Sequence, residues 1–534
     1  MSVGRQGQGM LPPEYSLAYP NVESGLDLAP RLSSPRVYHA DAVVVGSGAG
    51  GAPVAARLRD AGLDVLLLEE GGLYRTADFV TDPLESARRM YRDAGTSLIL
   101  GQPPITFAEG RCVGGSTVIN GGMSWRTPGR VLQHWDRKLG LDGCDEKSMQ
   151  GWFEQAERIL TPETQHPETI GKPLALFADA ARRKGWDPVD NQRNMQRCMG
   201  LNNCGFGCPT GAKRSMLVTE IPRALAAGAQ LVTNARVDRV LKRRRRVAGV
   251  AGSFVDLHGR RQGRFEVRAR LVVLAAGARN TPGLLLRSRL RGPMTGRGLH
   301  VHPNAKVVGL FDQPLDSWVG THQAHQVHRF MDEGILMAAA GVPPGILAAG
   351  IPGLGEEHGR LMARYNHMLT AGCLVEDSGE GRVRLGPDRR PLMTFKLSSR
   401  DLEVLHRGVR LLAEGVFEAG AERVLLPFAD LPLLESADEL EKIDQRPRSP
   451  QGLELMTVHI MGSCRMAVEE RHGPCDPWGR VRGIEGLAVA DASVIPSPVG
   501  LNPMESIVAL ALRNCERWIE GYKSQGGNSA VHSS

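Results

Sequence analysis

At 534 residues, 42% of them apolar and 23% charged, the chain can bury two separate cores and has the balance of a water-soluble globular protein. Its net charge of +7 is modest, and the one dense basic run, residues 242–246, sits between two short apolar segments as a solvated hairpin turn with no aromatic platform, which excludes nucleic acid as a partner. Nine cysteines, an odd number, argue against a disulfide framework and for a reducing, cytoplasmic setting, and no uninterrupted apolar run of about 18 residues could span a membrane.

Residues 1–35 are rich in Gly, Pro and Ser, lack an apolar core for a signal peptide, and are expected to form a surface arm. Residues 41–72 then read DAVVVGSGAGGAPVAARLRDAGLDVLLLEEGG. Ala42–Val45 is a short β-branched run expected to be a buried strand. Gly46, Gly48 and Gly51 follow at G-x-G-x-x-G spacing, helical periodicity runs to Gly62, and Val65–Leu68 is a second buried strand ending at Glu69. Such a βαβ unit is a dinucleotide-binding fingerprint: Gly46 for the tight turn, Gly48 for close approach of a pyrophosphate, Gly51 for helix–strand packing, and Glu69 as acceptor from a ribose hydroxyl. Exposed amides at the helix start face the phosphates. On these residues alone the cofactor is either NAD or FAD.

Residues 81–94 read as a polar helix. Residues 110–122, GRCVGGSTVINGG, place Gly114, Gly115, Gly121 and Gly122 among small and apolar side chains, a backbone that something approaches closely. Together with the βαβ unit, this segment resembles the glucose–methanol–choline (GMC) flavin oxidoreductases. Further blocks follow in that family's order: GAKRS at 211–215, residues 232–241, LVVLAAGARNTPGLLLRS at 271–288, HIMGSCRM at 459–466, and residues 479–509.

The resemblance implies an α/β fold with a Rossmann-like FAD-binding domain, discontinuous over 36–155, 205–300 and 450–522. A second, α+β substrate domain built on an antiparallel sheet takes 156–204 and 301–449. It implies FAD contacts from Gly46, Ser47, Gly48, Ala49, Gly50, Gly51 and Glu69, and from Val113, Gly114, Gly115, Ser116, Asn120 and Gly121 along the flavin. Val237, Ala276, Gly277, Asp491 and Ala492 follow, then Asn502, Pro503 and Met504. Within 271–288, Thr281 and Pro282 are expected as N-cap and first residue of a helix. Residues 300–303, HVHP, resemble a further family motif, and nothing in the sequence assigns it a role. Some members tether FAD through a histidine where this chain has Ile119, so FAD is expected to be non-covalent.

Oxidising an alcohol at a flavin requires a base for the hydroxyl proton, a task suited to histidine. His459 matches the family's catalytic histidine. Asn502 matches the residue that holds the substrate oxygen, although Asn502, Pro503 and Glu505 also make a good N-cap, N1 and N3 set. The following helix would aim its positive end at the site. The expected activity is FAD-dependent oxidation of an alcohol with O2 or an electron carrier as acceptor; a GMC-type cyanohydrin lyase is the alternative.

Cys198, Cys204 and Cys208, at C-x5-C-x3-C spacing, resemble the three-cysteine cluster of FAD-dependent glucose dehydrogenases, which implies an iron–sulfur cluster relaying electrons; the alternative is three packed or free thiols in a cysteine-rich turn, as in alcohol oxidases of the family. His322, His325 and His328 are too far apart on a helix to share an ion and read as a flexible polar stretch. Residues 335–355, uncharged and rich in Gly and Pro, read as an apolar loop that either packs as a core edge or forms a hydrophobic lid over the substrate, the second favouring an apolar alcohol. Residues 523–534 are expected to be a flexible tail.

Overall fold

The structure, a computed structural model, describes residues 21–290 and 292–524. Its cofactor-binding part is built on a six-stranded, wholly parallel sheet. The strands are β1 (Val22–Ser24), β2 (Ala42–Val45), β3 (Val65–Leu68), β4 (Gln230–Thr233), β5 (Leu271–Leu274) and β6 (Leu487–Val489), in the order β1-β4-β3-β2-β5-β6. Every residue of β2, β3, β5 and β6 is buried, as continuous Val and Leu runs require in a sheet covered on both faces. Helices α1 (Gly51–Asp60), α2 (Gly277–Arg287) and α3 (Met504–Ser524) each begin beyond the carboxyl end of β2, β5 and β6. That end is where open parallel sheets take their ligands.

Over its described part the N-terminal segment is mostly at the surface and also supplies a strand. Val22–Ser24 is an edge strand paired in register with Leu231–Thr233, and Arg36–His39 lies parallel to Arg261–Arg268 in a separate four-stranded sheet. The buried edge of β4 needs backbone partners, and the arm supplies them. Residues 1–20 lie outside the described residues. At the other end, Lys523 and Ser524 belong to the last turn of α3 rather than to a tail; residues 525–534 lie outside the described residues. The basic run forms the turn between strands Ala235–Arg243 and Arg246–Val255, with Arg244 at φ 56°.

The second core lies under a ten-stranded sheet whose centre is Asn304–Leu310, Met368–Val375 and Ile335–Ala340, all antiparallel. Helix Ser399–Glu418, started by a capping box between Ser398 and Asp401, packs across it. Three strands from chain segments that also build the cofactor part, Ser97–Ile99, Ile105–Phe107 and Leu455–Thr457, extend this sheet. Two sequence expectations fail here. Ile335–Ala340 is a buried strand, not a loop; Pro343 and Pro344 end it, and only the short helix Pro344–Ala348 and the residues after it remain at the surface. The polar stretch around His322 is likewise ordered, with His325–Val327 paired to Pro188–Asp190.

Candidate active site

The starts of α1 and α2, together with residues just before and within the first turn of α3, line a cavity of about 730 Å³ at the carboxyl end of the sheet. That size is ordinary for a cofactor site. Of the residues expected at the cofactor, Gly46, Ser47, Gly48, Ala49, Gly50, Glu69, Gly115 and Ser116 reach the cavity wall, as do Val237, Ala276, Gly277, Asp491, Ala492 and Pro503. His459 is on the same wall. Gly51, Val113, Gly114, Asn120, Gly121, Asn502 and Met504 sit behind it. Val113 and Gly114 support it through the backbone: Val113 N donates to Gly72 O at 3.0 Å and Gly114 N to Ser47 Oγ at 3.0 Å.

The glycines of the fingerprint divide by what surrounds them. A Cβ on Gly46, Gly50 or Gly51 would collide with the backbone oxygen of Ala275, Ala490 or Gly46 respectively, and Gly46 also has φ 105°. A Cβ on Gly48 would meet no protein atom closer than 3.9 Å. Gly48 is small for the sake of the cavity, and the other three for the sake of packing. Glu69 is buried, accepting from Ser47 N (3.1 Å), Ser47 Oγ (2.6 Å) and Gly71 N (2.9 Å), and burial raises its pKa.

Asp491, on the cavity wall, also holds two turns together. Oδ1 accepts from Ser493 N and Ser493 Oγ, and Oδ2 from Gly277 N (2.9 Å) and Thr281 Oγ1 (2.5 Å). The carboxylate thus ties the turn after β6 to the start of α2, and burial raises its pKa. This contact also explains why Thr281 and Pro282 are not the start of a helix. Asp491 accepts the first free amide of α2, so the helix begins a turn earlier, at Gly277, and Pro282 lies inside it.

His459 is half-buried at the cavity wall, and desolvation, with a smaller contribution from His302, lowers its pKa to about 3. The imidazole is therefore neutral at ordinary pH. Its Nε2 lies 3.4 Å from Asn502 Nδ2. The Asn502 side chain is not spent on capping α3: its Oδ1 accepts from Gln326 Nε2 at 3.0 Å, while Glu505 turns to accept from Ser124 Oγ at 2.8 Å. His302, 1% exposed and at φ 42°, meets the His459 ring edge-on at 5.7 Å, and its Nε2 accepts from Gly500 N. Asp377 holds the His302 amide at 2.8 Å and His300 Nδ1 at 2.9 Å. Gln326 and Asp377 were not expected as site residues, since they lie in strand and loop positions whose polar pattern carries no signature; His302 belongs to the HVHP segment, whose resemblance to a family motif assigned it no role.

The cysteines do not come together as a metal-binding group, and among the described residues no cluster of three His, Cys, Asp or Glu could hold an ion. Cys204 is buried at the start of a single 3-10 turn with its Sγ 3.1 Å from Arg193 Nη2, while Cys208 Sγ faces Thr210 Oγ1 and Lys213 N. The intervening turn points the two thiols at different partners. The iron–sulfur expectation is corrected accordingly. Lys213 instead braces the 110–122 segment from behind, donating to Val118 O (2.7 Å) and Asn120 O (2.8 Å). Arg193 does the same at Gly121 O (2.8 Å).

The residues fit FAD: Gly48 and Gly277, both on the cavity wall, leave open the space a bound group would fill. Ile119, which is buried, has no nucleophilic atom, and FAD is held non-covalently. A parallel sheet opening on such a cradle, with a histidine on the cavity wall, fits an FAD-dependent oxidoreductase. Residues 87–304 and 377–511 match the two family profiles described as GMC oxidoreductase. An uncharacterised GMC-type oxidoreductase of Mycobacterium tuberculosis is 37% identical, over 93% of this chain and 78% of its own length. A long-chain-alcohol oxidase of Arabidopsis thaliana is 29% identical, over 92% of this chain and 68% of its own. Formate oxidase from Aspergillus oryzae superposes with a TM-score of 0.68 at 16% identity, covering 92% of this chain and all of the other, a likeness of fold. The chain belongs to the GMC family and oxidises a CH–OH donor. Among the described residues no helix is long and apolar enough to cross a membrane.

Proposed function

We propose that the substrate is an apolar alcohol of the long-chain class, oxidised to its aldehyde with His459 as base and Asn502 as the group that holds the substrate oxygen. The observation that carries the roles of His459 and Asn502 is the pairing of His459 Nε2 and Asn502 Nδ2 across 3.4 Å beside the cofactor cavity. A substrate hydroxyl lying against both atoms from the cavity side would donate its proton to Nε2 and accept from Nδ2. The low pKa of His459 keeps its lone pair free. Bound FAD supplies the acceptor for the hydride that leaves the alcohol carbon. The start of α3, with Pro503 and Ile507 on the cavity wall, turns a positive helix end toward the charge that develops there.

The apolar substrate is supported by the activity named for the Arabidopsis relative and by the apolar cluster of Leu336, Leu374 and Leu501 packed with Trp125 and Met331 next to Asn502. The same reading takes 36–155, 205–300 and 450–522 as the cofactor domain, with 156–204 and 301–449 as the substrate domain. It takes O2 or an electron carrier as the second substrate, and a cytoplasmic setting in keeping with nine unpaired cysteines. The test is an anaerobic panel of 1-dodecanol, benzyl alcohol and sorbitol read by flavin absorbance, followed by air. Bleaching by dodecanol is expected, and return of the yellow colour in air identifies an oxidase. Bleaching by sorbitol with none by dodecanol overturns the substrate class.

A further inference from the structure

Behind Asn502 the polar contacts continue. His328 Nε2 lies 3.0 Å from Gln326 Oε1, Gln326 Nε2 donates to Asn502 Oδ1 at 3.0 Å, and Asn502 Nδ2 reaches His459 Nε2 at 3.4 Å. Gln326 is 2% exposed and Asn502 is 9% exposed. The chain of contacts runs past the apolar cluster of Leu336, Leu374 and Leu501, and Trp125 of that cluster meets the His328 ring edge-on at 4.9 Å. In such surroundings each polar atom must find its complement, because an unpaired one is costly.

An amide has a donor end and an acceptor end, so two amides in series between two imidazoles carry a direction. Gln326 gives its donor to Asn502, which leaves its oxygen for His328; that oxygen needs an N–H, so His328 carries its proton on Nε2. Asn502, having given its oxygen to Gln326, presents N–H to His459. His459 Nε2 must then be the bare nitrogen, with the ring proton on Nδ1. Reversing any one member reverses all of them and puts a proton on the atom that should act as base.

We propose that His328 and Gln326 are positioning residues that fix the direction of the Asn502 amide and thereby hold His459 in the tautomer whose Nε2 lone pair accepts the substrate proton. The inference rests on the reading of His459 as base. It assigns a function to a strand of the substrate sheet, His325–Val327, that touches none of the reacting atoms. Gln326→Glu is nearly isosteric but accepts only, so it draws the Asn502 N–H to itself and turns the Asn502 oxygen toward His459. Gln326→Leu removes direction without imposing the opposite one. His328→Gln keeps an N–H for residue 326, and His328→Leu does not.

The test uses FAD-loaded protein labelled with 15N-histidine, the His459 signals being assigned by their loss in His459→Gln. In the wild type, Nε2 is expected to give the unprotonated-nitrogen signal, in Gln326→Glu the protonated one, and in Gln326→Leu a mixture. His328→Gln keeps the wild-type pattern and His328→Leu loses it. The rate constant of anaerobic flavin reduction by 1-dodecanol should follow the same order, falling on the order of 10-fold in Gln326→Leu and about 100-fold or more in Gln326→Glu, toward the loss of general-base catalysis. A wild-type His459 protonated on Nε2, or a Gln326→Glu protein with unchanged nitrogen signals, overturns the proposal. If those signals behave as expected but His459→Gln reduces flavin at the wild-type rate, the base reading fails while the tautomer control stands.

Discussion

The division of labour among the fingerprint glycines can be tested by adding one methyl group at a time. A Cβ on Gly50 would lie inside the van der Waals envelope of Ala490 O, a backbone atom at the end of β6 that cannot move without breaking Ala490 N to Leu274 O. A Cβ on Gly48 has 3.9 Å of clearance to the nearest protein atom, Gly115 Cα, and Gly48 is not in the left-handed region. Gly50→Ala should therefore destabilise the protein whether or not FAD is present, by about 3 kcal/mol or more, the upper end of the overpacking range because the obstacle is backbone. Gly48→Ala should leave the FAD-free protein within about 0.5 kcal/mol of wild type, yet weaken FAD by roughly 10- to 100-fold, since the methyl group stands where the cofactor backbone must approach. Urea denaturation of the FAD-stripped proteins gives the first quantity, and fluorescence titration with FAD the second. If FAD-stripped Gly48→Ala melts as early as Gly50→Ala, or if it binds FAD like the wild type, the assignment of Gly48 to the cofactor is wrong.

His459→Ala should retain its flavin spectrum while the rate of anaerobic reduction by alcohol falls about 10²- to 10⁴-fold; stopped-flow absorbance measures this, and an unchanged rate removes His459 from the chemistry. Precipitation with acid should leave the yellow colour in the supernatant, because Ile119 offers no covalent tether; colour in the pellet contradicts it. His302, buried with its pKa lowered to about 4, should make the fold sensitive to acid. The unfolded chain takes up the proton first, so stability falls as pH drops below about 6.5 and goes on falling to about 4, a loss near 2 kcal/mol by pH 5. His302→Asn, which tolerates the left-handed backbone and keeps an acceptor for Gly500 N, should flatten that part of the pH–stability curve, and an equal slope in both proteins refutes the assignment.

Strands β2, β3 and β5 and the turn after β2 were legible because local signals there agree: β-branched runs, glycines at fixed offsets, and a helix period that stops at Gly62. The His459–Asn502 pairing was legible only through family resemblance, since nothing local distinguishes His459 from the other histidines. What escaped had long-range causes. Thr281 carries the local marks of an N-cap, but Asp491, far along the chain, accepts the amide of Gly277 and starts α2 earlier. Residues 335–340 looked like loop because glycines and prolines follow them; their burial depends on Asn304–Leu310 and Met368–Val375 lying where no window of sequence reveals. Spacing suggested a cluster for Cys198, Cys204 and Cys208, and a single tight turn at 204–206 points two of the thiols to separate partners.

The strand order has a consequence for how the protein is made. β5, the interior strand beside β2, receives its outer neighbour β6 only when residues 487–489 have been synthesised, roughly two hundred residues later, which at about 5–20 residues per second leaves the edge of β5 uncovered for on the order of 10–40 s. During that interval a fully apolar parallel strand, Leu-Val-Val-Leu, presents unpaired amides and carbonyls to any chain that meets it. The cofactor cannot shorten the wait, because Asp491, Ala492 and Pro503, which complete its wall, arrive later still. Nascent chains of this protein are therefore expected to need cover for that edge until translation is nearly finished, with FAD entering only once the six-stranded sheet is complete.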